Sequence, residues 1–204
     1  LGVALCEELL YLSNEGALPH PSRVGVLLAG DLFSDVLANR RGASGDVRDV
    51  YRAFGREFRW VIGVMGNHDT LGGQDHDPER FCRMADVMIL DGRVIEIDGL
   101  RIGGVGGILG ENGKPQRKSE KLYRSMMKRV IDEAPAIVLV HAGPNVPGSR
   151  LIGSDVVREC LTHHVDRLVV CGHAHWNTPL VPLPGVGQVL NVDGRVVEIG
   201  RAHV

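Results

Sequence analysis

The chain has 204 residues, of which 44% are hydrophobic and 24% are charged, and its formal net charge is −2. This size predicts one domain over residues 1–204 that buries a core. The near-neutral charge excludes a large basic face, so we expect no nucleic-acid or membrane partner. The four cysteines form no CxxC pair, which favours reduced thiols in a cytoplasmic protein.

The chain begins inside a helical pattern. Leu5, Leu9 and Leu12 recur at near-helical spacing, and Asn14-Glu15-Gly16 is typical of a helix end. In a βαβ architecture a strand precedes such a helix. We therefore expect the intact protein to carry a further strand upstream of Leu1.

Two predicted strands in the first third of the chain end in polar side chains behind a glycine. The apolar run 24–30 precedes Asp31, and the run 60–65 precedes Gly66-Asn67-His68-Asp69. Apolar runs of this kind predict buried strands, and residues 47–59 between them predict an amphipathic helix. A glycine lets the backbone turn tightly and brings the following side chain close to a ligand.

The middle of the chain predicts a short helix and then a β-meander. Asp77-Pro78 is a typical helix start, and we expect this helix to reach about Met84. Over residues 87–102, three β-rich runs are separated by Asp91-Gly92 and Asp98-Gly99. Because Asp-Gly between short strands is the strongest local hairpin signal, we predict a three-stranded meander.

The second half of the chain alternates helices with strands. Ser119 and Ser154 are predicted helix N-caps, and the apolar runs 136–140 and 168–171 are predicted strands. A last hairpin is predicted over residues 189–199, where Asp-Gly again marks the turn. Alternating helices and strands predict an α/β fold.

Four predicted strands end in side chains that can bind metals: Asp31, Asn67-His68-Asp69, His141 and His173-x-His175. Each one alone is also explained by a polar turn that closes a strand. In open α/β sheets, however, ligands bind just outside the carboxyl ends of the strands. Oxygen and imidazole donors without a thiolate suit manganese, iron, zinc or nickel. A His-x-His segment and a bridging carboxylate can serve two cations, as in two-metal sites that act on phosphorus.

These motifs, in this order over residues 24–199, resemble those of the calcineurin-like metallophosphoesterases. The resemblance implies a four-layer α/β/β/α sandwich with mixed sheets. It also implies two divalent metal ions at the strand ends, for which manganese is favoured and iron, zinc or nickel are alternatives.

The resemblance further implies a role for each metal ligand. Asp31 would bridge the two ions. Asn67, His141 and His173 would complete one metal site, and His175 would belong to the other.

The resemblance makes His68 the catalytic imidazole beside the leaving oxygen, with Asp69 orienting its ring as a carboxylate can orient a catalytic histidine. The family pattern begins with Asp-x-His after a first strand, whereas the first aspartate here is Asp31. We expect that missing pair, which would bind the second metal, to lie upstream of Leu1.

The resulting hypothesis is a hydrolase of small phosphodiesters or phosphomonoesters, in which a hydroxide that bridges the metals attacks phosphorus in line. Five basic residues are candidates to meet the anionic substrate, although exposed surface charge is the favoured explanation for any single one of them: Arg40, Arg41, Lys114, Arg117 and Arg150. Two alternatives remain. One is a non-catalytic interaction module on the same fold with a degenerate metal site, and the other is a mononuclear metal-binding domain.

Overall fold

The computed structural model describes residues 2–34, 43–73, 78–111, 113–162 and 167–200. The α-helices in this part of the chain are α1 Gly2–Asn14, α2 Arg48–Glu57, α3 Pro78–Ala85, α4 Glu120–Asp132 and α5 Asp155–Leu161. None of them combines the length and the apolar composition that crossing a bilayer requires.

The strands form two main sheets and two short two-stranded pairs. The smaller main sheet contains β1 Gly25–Leu28, β3 Trp60–Gly63 and β5 Met88–Ile89. The larger contains β6 Arg93–Ile97, β7 Leu100–Val105, β10 Ile137–Ala142, β11 Leu168–Gly172, β12 Leu180–Leu183 and β13 Gly187–Asn191. The short pairs join β2 Gly45–Asp46 to β4 Asp69–Thr70, and β8 Ile108–Leu109 to β9 Arg117–Lys118.

The strand order places parallel strands at the centre of both main sheets. The smaller sheet has the order β1-β3-β5 and is parallel throughout. The larger sheet has the order β12-β13-β11-β10-β7-β6, in which β13, β11, β10 and β7 are parallel and each edge strand is antiparallel to its neighbour. The carboxyl ends of the central strands therefore lie together along one edge of each sheet.

Three buried clusters stack the molecule into four layers. Between the sheets lie side chains from both of them: Ala29, Ile62, Val64, Leu90, Ile102, Leu139, Val170 and Leu190. A second cluster packs α1, α2 and α3 against the smaller sheet, and a third packs α4 and α5 against the larger sheet. Because each sheet buries both of its faces, the predicted α/β/β/α sandwich with mixed sheets is confirmed.

The predicted meander is wrong in its first strand. β5 pairs with β3 in the smaller sheet, and only β6 and β7 form an antiparallel hairpin. Leu90 explains the difference, because its side chain is fully buried between the sheets and its N–H donates to the carbonyl of Gly63 at 2.8 Å. The Asp91-Gly92 turn therefore carries the chain from one sheet to the other instead of closing a hairpin.

The predicted last hairpin is also wrong in position. β12 and β13 pair around a turn that the Val186 N–H closes on the carbonyl of Leu183 at 3.0 Å. Residues 192–200 form no strand. Burial decides the pairing, because Val189 and Leu190 of β13 are buried whereas Val196 is 55% exposed.

Both predicted N-caps are confirmed. The hydroxyl oxygen of Ser119 accepts a hydrogen bond from the Leu122 N–H at 3.4 Å, and that of Ser154 accepts one from the Val157 N–H at 3.3 Å. Each hydroxyl thus satisfies a backbone donor that the helix itself leaves without a partner.

The cap of α4 gives a stability prediction. We expect Ser119→Ala to lower the free energy of unfolding by about 1 kcal/mol, measured by chemical denaturation. Ser125→Ala is the matched control, because Ser125 is exposed in the middle of α4 and alanine favours a helix interior. Equal unfolding free energies for Ser119→Ala and the unaltered chain would contradict the capping role.

Candidate metal centre

The four strand ends that the sequence singled out meet where the two sheets face each other. Asp31 and Asn67 follow β1 and β3, which are neighbours in the smaller sheet. His141 lies near the end of β10, and His173 follows the neighbouring β11 of the larger sheet. One ligand atom from each of Asp31, His141 and His173 lies within 4.8 Å of the others.

The atoms at the centre of this group are electron-pair donors. Nε2 of His141 lies 3.4 Å from Oδ2 of Asp31 and 3.1 Å from Oδ1 of Asn67. Nδ1 of His173 lies 4.0 Å from the same Asp31 oxygen. A carboxylate, an amide oxygen and two imidazole nitrogens, with no thiolate, form a donor set that suits a first-row divalent metal.

The tautomer of His141 is set by a backbone carbonyl. Its Nδ1 lies 2.8 Å from the carbonyl oxygen of Ala29, which can only accept, so Nδ1 carries the hydrogen. In the neutral ring, Nε2 then presents its lone pair toward the oxygens of Asp31 and Asn67. Electron-rich atoms that face one another around this fully buried ring call for a cation between them, so the residues fit a bound metal ion.

Two of the candidate ligands have unusual backbone conformations. Asp31 has φ 54° and His173 has φ 67°, a region that side chains other than glycine adopt only uncommonly. At His173 the chain turns so sharply that the Ala174 N–H donates to the carbonyl of Gly172 at 2.8 Å. Such conformations cost of order 1–3 kcal/mol and cluster at functional sites, so the fold holds both side chains toward the centre at a cost in stability.

Asp31 is ionised in this setting. Burial alone would raise the pKa of its carboxyl group, but the neighbouring imidazoles of His141 and His173 and the hydrogen bond from the His68 N–H hold that pKa well below its usual range. The His68 N–H donates to Oδ1 of Asp31 at 3.0 Å. The carboxylate therefore keeps Oδ2 directed at the two histidines.

Gly66 provides the space that Asp31 occupies. A β-carbon on Gly66 would overlap the backbone nitrogen and the carboxylate of Asp31. We expect Gly66→Ala to lower the free energy of unfolding by about 1–3 kcal/mol, as overpacking does, and to weaken Mn²⁺ binding measured by calorimetric titration. Gly73→Ala is the control because a β-carbon there meets nothing within 4 Å. Mn²⁺ binding that is equal in the two variants would contradict this packing argument.

Asp69 contacts the backbone instead of the His68 ring. Its carboxylate accepts hydrogen bonds from the Gly66 N–H at 2.8 Å and from the Phe33 N–H at 3.0 Å. Burial raises the pKa of this carboxyl group, and the two hydrogen bonds oppose that rise. Among the described residues, the buried Nδ1 of His68 has no hydrogen-bond partner. The orienting role of Asp69 and the catalytic role of His68 therefore remain predictions.

His175 lies outside the group that Asp31, His141 and His173 form. Its side chain is 57% exposed, and Nδ1 lies 3.1 Å from the carbonyl oxygen of Asp193. Arg195 places Nη2 3.2 Å from Nε2 of the same ring. The second metal site that the resemblance implies remains a prediction. The sequence did not predict these contacts of Asp193 and Arg195 with His175, because no local pattern indicates which distant segments contact each other.

The basic residues proposed to meet the substrate also remain predictions. Lys114 and Arg150 are exposed and Arg117 is half-buried. Arg40 and Arg41 lie outside the described residues.

A family model described as calcineurin-like phosphoesterase matches residues 6–177. The chain belongs to the calcineurin-like phosphoesterase family. Its members are generally phosphoesterase hydrolases and typically bind divalent metals, in agreement with the His/Asp group of this structure. A comparison with curated proteins found no match.

Two solved structures are similar to this chain. The crystal structure of TT1561 of Thermus thermophilus matches with a TM-score of 0.63 at 18% identity, over 92% of this chain and 82% of that chain. The sulfate thiohydrolase SoxB of Thermus thermophilus, in complex with glycerol, matches with a TM-score of 0.46 at 17% identity, over 93% of this chain and 36% of that chain. The first supports the fold alone, and the second is too distant to support any conclusion.

Proposed function

We propose that the chain hydrolyses small phosphate esters, either diesters or monoesters, with two divalent metal ions, of which manganese is the favoured kind. The observation that carries the proposal is the donor group of Asp31, His141 and His173, in which His141 is buried, Asp31 half-buried and His173 exposed, in a chain of the phosphoesterase family. Asn67 Oδ1 adds a fourth donor beside His141. These four residues would hold one of the two ions.

The ions and the side chains have separate tasks in this proposal. When bound, divalent cations supply a hydroxide nucleophile near neutral pH and neutralise charge on phosphoryl oxygens. Oδ1 of Asn67 faces His141, which leaves its amide nitrogen to donate to a phosphoryl oxygen. His68, half-buried and next in the chain, would protonate the leaving oxygen.

The second ion rests on the family resemblance more than on the geometry. Asp31 and His175 would both bind it. His175 has to exchange its contact with Arg195 for the ion. Metal stoichiometry tests this point directly: two equivalents support the dinuclear site, and one equivalent supports the mononuclear alternative.

Hydrolysis assays test the activity itself. We expect Mn²⁺-dependent release of p-nitrophenol from bis-p-nitrophenyl phosphate or from p-nitrophenyl phosphate. EDTA should abolish the release, and added Mn²⁺ should restore it. If the protein binds Mn²⁺ stoichiometrically and hydrolyses neither ester, the proposal fails in favour of a non-catalytic module on this fold.

A further inference from the structure

A segment after β13 contacts the turn at residues 173–176, which carries both histidines. Asn191, Asp193 and Arg195, which we call the clamp, alternate along the chain, and each contacts this turn. Asn191 contacts Ala174, Asp193 contacts His175, and Arg195 contacts both His175 and Trp176. The family match ends at residue 177, so the clamp lies outside it.

Asn191 holds the peptide unit between the two histidines of the turn. It is 1% exposed, and its Nδ2 donates to the carbonyl of Ala174 at 2.8 Å. Its Oδ1 accepts from the Asp193 N–H at 3.2 Å, so both polar atoms of this buried amide are used. The Ala174 N–H donates to the carbonyl of Gly172, and the Ala174 carbonyl accepts from Asn191. Both backbone polar groups of the residue that follows the strained His173 are therefore held.

Asp193 and Arg195 hold the far side of the turn. The carbonyl of Asp193 accepts from Nδ1 of His175 at 3.1 Å, and this contact places the hydrogen on Nδ1 and the lone pair on Nε2. Nη2 of Arg195 lies 3.2 Å from that Nε2, a contact that a bound ion would replace. Arg195 donates from Nη2 to the carbonyl of Trp176 at 2.5 Å. Trp176 is itself anchored, because its indole N–H donates to the carbonyl of Ile152 at 2.7 Å.

We propose that the clamp is a positioning device that sets where His173 and His175 present their ring nitrogens to a metal ion. The inference depends on the proposed function for the metal itself. A left-handed backbone at a non-glycine residue such as His173 persists only where its surroundings over-determine it, and the clamp supplies that constraint. Outer-shell partners of metal ligands typically change metal affinity by about 10–100-fold.

The test compares Mn²⁺ affinity with stability in three Arg195 and Asn191 variants. Arg195→Met keeps the aliphatic stem and removes the donors, Arg195→Lys restores one donor, and Asn191→Leu removes the buried amide at similar volume. Arg59→Met is the matched control, because it breaks an exposed pair with Asp98 before β3, at the opposite end of that strand from Asn67. Each metal-free protein is titrated with Mn²⁺ in a calorimeter, and its thermal midpoint is recorded.

We expect Arg195→Met and Asn191→Leu to weaken Mn²⁺ binding by about 10–100-fold. Arg195→Lys should regain part of this loss, and Arg59→Met should bind Mn²⁺ like the unaltered chain. Arg195→Met should also keep a thermal midpoint close to that of Arg59→Met, which a merely structural role does not predict. The clamp proposal is overturned if Arg195→Met and Asn191→Leu both bind Mn²⁺ as tightly as the unaltered chain. It is also overturned if Arg59→Met loses as much Mn²⁺ affinity as they do. Absence of Mn²⁺ binding by the unaltered chain overturns the metal site, and the clamp with it.

Discussion

His68→Ala should lower turnover about 10²–10⁴-fold, the usual contribution of a positioned general acid, and should leave the bound Mn²⁺ unchanged. The backbone N–H of His68 donates to Asp31 at 3.0 Å, a contact that alanine preserves. The ring does not belong to the group of metal-binding side chains. The variant would therefore remove the proposed proton donor and keep the proposed metal ligands in place.

The choice of leaving group tests the proton-donor role of His68 directly. p-Nitrophenolate leaves readily without an acid, whereas an alkoxide does not. We therefore expect His68→Ala to lose more turnover with an alkyl phosphate ester than with the p-nitrophenyl ester. His20→Ala is the control, because His20 is an exposed imidazole whose Nδ1 lies 2.8 Å from the Ser22 hydroxyl. Unchanged turnover of the alkyl ester would remove His68 from the mechanism.

His141→Ala should weaken Mn²⁺ binding more than about 100-fold, beyond the usual effect of an outer-shell partner. His141 is fully buried, and its Nε2 is 3.4 Å from Asp31 and 3.1 Å from Asn67. Without the ring, the carboxylate and the amide oxygen lose the ligand between them, and hydrolysis should fall with the bound metal. The measurement is Mn²⁺ titration together with turnover at saturating Mn²⁺.

His175→Ala is the matched comparison for this second result. His175 lies outside the group around His141, so we expect its loss to reduce the occupancy of a second ion and to spare the first. If His141→Ala binds Mn²⁺ as tightly as His175→Ala does, the group around His141 does not hold the metal. In that case the contact of His141 with the Ala29 carbonyl serves only the packing between the sheets.

The sequence could predict which side chains converge because convergence follows from strand direction. Asp31, Asn67, His141 and His173 each lie at or just after the carboxyl end of a parallel strand, and such ends share an edge of the sheet. The alternating apolar runs and the serine caps are local signals. They predicted the strands and the helix starts without knowledge of the pairing, whereas the four layers were implied by the family resemblance.

The sequence could not predict which distant segments pair with each other. Asp91-Gly92 has the composition of a hairpin turn, but burial of Leu90 between the sheets directs β5 to the other sheet. The contacts of Asn191 with Ala174 and of Asp193 with His175 join residues 17 and 18 positions apart. No periodicity or turn signal encodes such contacts, because they arise only when β13 lies beside β11.

The most direct test of the account is to locate the metal. Crystals of the chain grown with Mn²⁺ should show an anomalous diffraction peak bonded to the side chains of Asp31, Asn67, His141 and His173. We predict that an ion occupies this site before any ion binds beside His175. A fully occupied ion bound by other residues, or no peak at these four side chains at saturating Mn²⁺, would contradict the proposal that they bind the metal.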